Sequence, residues 1–142
     1  MPRDTSSSSP VPVRILIVED VEDWRRSVCS LLRRGPGLRV VGEVTDGSKA
    51  VRETIELKPD LILLDIALPN LNGIEAARRI YQISPGTKIL FLSQNNDADV
   101  VQAALSSGGR GYVLKADAGN ELLTAIEAVL RGKRFVSSRL TA

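Results

Sequence analysis

One cysteine in 142 residues, Cys29, excludes an internal disulfide, and its place in a helical pattern marks it as an inert core thiol suited to a reducing compartment. Long apolar runs are missing as well. None approaches the roughly 20 residues needed to span a bilayer. The chain start, Met1-Pro2-Arg3-Asp4-Thr5 followed by Ser6 to Ser9, lacks the apolar segment of a signal peptide. Neither sign of charge dominates, since 19 Lys and Arg face 17 Asp and Glu, so no large field argues for nucleic acid or an anionic membrane as a direct partner. No segment repeats another. These absences point to a cytoplasmic protein without a membrane partner, whose chemistry must come from local constellations.

What is present is enough for one core. The length lies within the range of a single domain, and 43% of the residues are hydrophobic. Residues 1–12, rich in Ser and Pro, have nothing to bury and read as a disordered tail. From residue 13 the pattern alternates. Val13 to Val18 is a strand candidate; Val21, Trp24, Val28, Leu31 and Leu32 then recur at helical spacing, with Glu22 and Asp23 in the first turn and Arg33 and Arg34 in the last, as the helix dipole favours. Gly35-Pro36-Gly37 stops that helix.

Leu38 to Val44 predicts a second strand, and Asp46 caps a helix that Lys58-Pro59-Asp60 breaks. Leu61 to Leu64 follows as the third strand. Asn72-Gly73 opens a third helix, Lys88 to Leu92 is the fourth strand, and Asp97 begins a fourth helix closed by Gly108-Gly109. Gly111 to Leu114 and a helix from Asn120 to about Arg131 complete five pairs. Strict alternation with strands too apolar to face water predicts an α/β parallel sheet covered by helices on both faces. The domain is expected over residues 13–131, with 132–142 as a linker stub.

Four of these strands end in reactive side chains. Val18 runs into Glu19-Asp20, Leu64 into Asp65, Leu92 into Ser93 and Leu114 into Lys115. Open α/β sheets place their chemistry just outside the carboxyl ends of their strands. Three carboxylates, a hydroxyl and an ammonium converging there would make a site for a divalent cation and a phosphoryl group.

With Val18-Glu19-Asp20, Leu64-Asp65-Ile66-Ala67-Leu68-Pro69-Asn70-Leu71-Asn72-Gly73, Leu92-Ser93-Gln94 and Gly111-Tyr112-Val113-Leu114-Lys115 in this order, the chain resembles the receiver domains of two-component response regulators. The segment from Leu122 to Leu140 is most like the receivers of LuxR/NarL-type transcription regulators. The resemblance implies a flavodoxin-like, CheY-like fold with five parallel strands in the order 2-1-3-4-5. It implies that Asp65 accepts a phosphoryl group from the phosphohistidine of a sensor histidine kinase. It further implies Mg2+ held by Asp20 and Asp65 directly, by Glu19 through water and by the backbone carbonyl of Ala67. Lys115 and Ser93 would contact phosphoryl oxygens, with Ser93 and Tyr112 as a switch that remodels the face formed by the fourth helix, fifth strand and fifth helix. Such a domain is no enzyme beyond catalysing its own phosphorylation and dephosphorylation. Its expected partners are the sensor kinase, a second copy in a homodimer, and DNA only through an output domain that these residues do not contain.

The chemistry fits those residue types. An ionised carboxylate can attack phosphorus, crowded acids need a compensating cation, and magnesium takes a few carboxylate and carbonyl oxygens plus water. Rival readings fare worse. An aspartyl phosphatase of the haloacid-dehalogenase type needs a second acid two residues after the nucleophile, where Ala67 stands. A flavin or nucleotide carrier needs a phosphate loop after the first strand, where Glu19-Asp20 would repel the phosphate. A stand-alone receiver acting by protein contacts, or a degenerate one independent of phosphorylation, remains the alternative to transcriptional output. Two departures from the family pattern stand out. Ala116 occupies a place often taken by proline after a cis bond, so a trans bond is expected, and Gln94 is bulkier than usual and narrows access to Asp65.

Overall fold

The computed structural model describes residues 11–140. Most of the expected tail, residues 1–10, lies outside them. Strands β1 (Val13–Val18), β2 (Leu38–Val44), β3 (Leu61–Leu64), β4 (Lys88–Ser93) and β5 (Gly111–Leu114) alternate with helices α1 (Glu22–Arg33), α2 (Gly47–Leu57), α3 (Gly73–Ile83), α4 (Ala98–Ser106) and α5 (Ala118–Leu130). A sixth strand, β6 (Phe135–Val136), follows α5. The sheet is parallel throughout, in the order β2-β1-β3-β4-β5-β6. The five-strand order expected from the sequence is therefore present, extended by one.

That sixth strand corrects the expectation that residues 132–142 form only a linker stub. Phe135 N–H donates to Arg110 O, Ser137 N–H donates to Tyr112 O, and the Ser137 hydroxyl accepts from Leu114 N–H while donating to Glu121. The segment is fastened to the edge of β5. The other departures are small: α5 begins at Ala118, behind a 3-10 turn over Lys115–Asp117. All peptide bonds among the described residues are trans, including the one before Ala116.

Period-two alternation along each strand splits the core in two. Ile15, Ile17, Leu61, Leu63, Leu90, Leu92 and Val113 pack against α1 and α5. Leu16, Val18, Ile62, Leu64, Ile89, Phe91, Tyr112 and Leu114 face the opposite way, against α2, α3 and α4. Each fully buried Leu or Ile contributes about 1.5–3 kcal/mol of transfer free energy, so burying both faces of the sheet fixes its register.

Helix ends follow the sequence. Asp46, Asn72 and Asp97 cap α2, α3 and α4 with side-chain oxygens accepting backbone N–H groups, whereas Val21 before α1 makes no side-chain cap. At α1 the Glu19 carboxylate serves instead, accepting from Val21 N–H at 3.0 Å.

Candidate phosphoacceptor site

The parallel ladder carries its register one rung past the strands. Glu19 N–H donates to Val44 O and Asp65 N–H donates to Val18 O, so the residues after β1 and β3 remain aligned. Val18, Leu64 and Leu114 all face α2, α3 and α4. The next residues, Glu19, Asp65 and Lys115, therefore all turn toward the α1 side. Ser93 follows Leu92, which faces α1, so it turns the other way, toward Tyr112.

The result is a buried ionic cluster. Lys115 Nζ lies 2.6 Å from a Glu19 oxygen and 3.1 Å from Asp65 Oδ2, with the three side chains almost fully buried. Asp65 Oδ1 accepts the Ile66 N–H at 2.7 Å. Carboxylate oxygens of Glu19, Asp20 and Asp65 lie within 4.8 Å of one another, Asp20 being exposed at the rim. Burial pushes the Glu19 carboxyl above the ordinary range, opposed by its hydrogen bonds from Lys115 and Val21 and reinforced by the Asp65 charge. Three carboxylates against one ammonium leave two negative charges uncompensated. A divalent cation would supply that charge, and the all-oxygen donor set suits a hard one. The donors present fit such an ion.

The mouth of the site is a cavity of about 280 Å3 lined by Asp65, Ile66, Ala67, Ser93, Gln94, Asn95 and Lys115. All the expected site residues on the third, fourth and fifth strand ends except Tyr112 thus reach one space, and Gln94 borders it as anticipated. Its floor depends on Gly73. A Cβ there would collide with the Asp65 carbonyl, while Gly73 N–H donates to Ile66 O at 2.8 Å. Only glycine lets α3 start so close behind Asp65.

Ser93 and Tyr112 meet through the β4–α4 loop. Ser93 Oγ accepts from Asn95 N–H at 3.1 Å, and the Tyr112 hydroxyl donates to Asn95 O at 2.7 Å. The Tyr112 side chain is fully buried, its ring stacked 6.1 Å from Phe91, and burial raises its hydroxyl pKa. Asn95 as the shared anchor carries no signal in the sequence, because its backbone rather than its side chain makes both contacts. Trp24, one of the residues at helical spacing in α1, lies with its ring centroid 4.9 Å from Lys115 Nζ. Cys29 is half-buried with its thiol pushed up by burial and by Glu43, consistent with inertness. Among the described residues no helix is long and apolar enough to cross a membrane.

Comparison with known proteins agrees with this geometry. Residues 15–127 match the family described as the response regulator receiver domain. The chain is 34% identical to the transcriptional regulatory protein LiaR of Bacillus subtilis over 128 residues, which is 90% of this chain and 61% of LiaR. It is also 34% identical to the nitrate/nitrite response regulator NarL of Escherichia coli K12, across 94% of this chain and 62% of NarL. The chain thus spans about three-fifths of these curated relatives. A solved LuxR-family two-component response regulator from Aurantimonas sp. SI85-9A1 superimposes with a TM-score of 0.88 at 35% identity, covering 92% of this chain and 93% of that one. Sheet order, strand-end cluster and family match agree: the chain belongs to the response regulator receiver domains of two-component systems, of the LuxR/NarL type.

Proposed function

We propose that this domain accepts a phosphoryl group on Asp65 from the phosphohistidine of a sensor histidine kinase, in a Mg2+-dependent reaction. The observation that carries the reading is the buried Asp65 carboxylate, 3.1 Å from Lys115 Nζ and clustered with Glu19 and Asp20. An Asp65 carboxylate oxygen bonds to phosphorus as the phosphorus–nitrogen bond of the donor breaks, and the departing imidazole takes up a proton. The Ile66 N–H and Lys115 orient the Asp65 carboxylate, and the Lys115 ammonium then meets a phosphoryl oxygen. Bound through Asp20, Asp65, Glu19 and the Ala67 carbonyl, Mg2+ would neutralise phosphoryl oxygens and the surplus carboxylate charge.

Ser93 donates its hydroxyl hydrogen to another phosphoryl oxygen in this scheme while its oxygen still accepts from Asn95 N–H, so a shift of Ser93 toward the phosphoryl group pulls on Asn95. Since Tyr112 holds the same residue by its carbonyl, the change reaches β5 and the α4-β5-α5 face. The domain catalyses nothing beyond its own phosphorylation and dephosphorylation, works in the cytoplasm, and controls transcription through a DNA-binding output domain, a reading supported by its similarity to LiaR, a transcriptional regulatory protein. The test is acetyl phosphate with Mg2+ followed by intact-mass measurement at neutral pH. One added phosphoryl group on the native domain and none on Asp65→Asn is expected; unchanged labelling of the variant would place the acceptor elsewhere.

A further inference from the structure

Lys115 has three N–H donors, and two point at carboxylates that the proposed chemistry will occupy otherwise. Asp65 becomes an acyl phosphate, and Glu19 shares its charge with the cation. Both anchors of the ammonium therefore weaken when it must hold a phosphoryl oxygen. The third side of the ammonium faces the indole ring of Trp24, 4.9 Å from the centroid, inside the roughly 6 Å reach of a cation–π contact.

We propose that Trp24 is a positioning residue for Lys115: its ring face keeps the ammonium aimed at the crevice when metal and phosphoryl group draw off the carboxylates. The inference rests on Asp65 being the acceptor. Three observations carry it. Lys115 is buried, so the contact is desolvated and at the stronger end of its range. Trp24 belongs to neither core cluster, so its ring is not spent on packing the sheet. It also lines two cavities that border Lys115 and carry no acid on their walls, one shared with Gln94, Asn96 and Arg139 and the other lying between α1 and α5. The ring thus walls the ammonium off where no acid does. Its attraction does not depend on the ionisation or coordination of Glu19 and Asp65, so it persists through the transfer.

The experiment compares Trp24→Phe, which keeps a ring face, with Trp24→Met, which keeps apolar volume without one. Initial rates of acetyl phosphate labelling are read by intact mass at saturating Mg2+, with thermal unfolding of each variant alongside. Trp24→Met is expected to label about 2- to 30-fold more slowly than the native domain, the range of a cation–π contact converted at 1.36 kcal/mol per decade. Trp24→Phe is expected to recover most of that loss. Equal rates for Trp24→Met and the native domain, or equal losses in both variants, would overturn the positioning role. If the native domain takes up no phosphoryl group, it is the assignment of Asp65 that fails, and the inference with it. Should either variant not fold, Trp24→Tyr against Trp24→Leu makes the same contrast.

Discussion

The two ends of the sheet carry opposite charge and opposite order. At the carboxyl ends of the strands, three acids cluster beside Lys115, Asp65 and Lys115 line a cavity of about 280 Å3, and the ammonium is bonded to two of the acids at 2.6 and 3.1 Å. At the amino ends, a cavity of about 630 Å3 is bordered by Arg78, Arg110, Lys133 and Arg134 with no acid on its wall. Of these, Arg78 pairs with Glu75 on its own helix, and the other three form no ion pair among the described residues. The larger space is the one without convergent chemistry. Parallel strands point their backbones and their following side chains in one direction, so register concentrates functional groups at one end only. Volume alone marks nothing.

The sharpest way to break that contrast is to alter each end and read phosphoryl uptake. Asp65→Asn is expected to abolish labelling by acetyl phosphate, while Arg110→Ala with Arg134→Ala leaves its rate unchanged; slowed labelling in the double variant would show that the basic end takes part. Next in size is Lys115→Met, which leaves two buried carboxylates without their cation and is expected to lower unfolding free energy by about 3 kcal/mol in urea titration. Millimolar Mg2+ should return part of that loss, and no response to the ion would count against the acidic cluster as its site. In the native domain, Mg2+ at about 100 times its Kd should stabilise by about 2.7 kcal/mol. Asp20→Ala is expected to remove this stabilisation in a thermal scan.

Gly73→Ala forces a methyl group against the Asp65 carbonyl and is expected to cost about 1–3 kcal/mol, with slower labelling because Asp65 is displaced. The smallest effect sits at Glu121. Burial pushes its carboxyl up, but hydrogen bonds from Ser137 and Ser138 outweigh that and hold it below the ordinary range. A depressed folded pKa gives stability that is present above the unfolded value and lost as pH falls through the folded one. The thermal midpoint should therefore fall on acidification below the ordinary carboxylate range, about pH 4, and fall less in Glu121→Gln.

Much of the fold and of the site is legible in the amino-acid sequence. Uninterrupted apolar runs such as Leu61 to Leu64 and the polar residues that follow them mark both strands and site, because parallel strands buried on two faces have no other way to be written. Caps at Asp46, Asn72 and Asp97 are legible for the same local reason. The sixth strand is not: Phe135 and Val136 are too few for a period to register, and a Gly-Lys-Arg run precedes them. Nor are the contacts of Trp24 and Asn95. A helical aromatic looks the same whether it fills a core or covers an ammonium, and a backbone carbonyl carries no residue-type signal at all.

Phe135, Val136 and Ser137 have one more effect. An outermost strand normally offers open amide and carbonyl groups to any extended peptide. Here two residues occupy that row beside β5, and the Ser137 hydroxyl satisfies the Leu114 amide in place of a backbone acceptor. The border of β5 next to Tyr112 is covered, and the new outer edge is a strand of only two residues, which leaves little ladder on which an added peptide could pair.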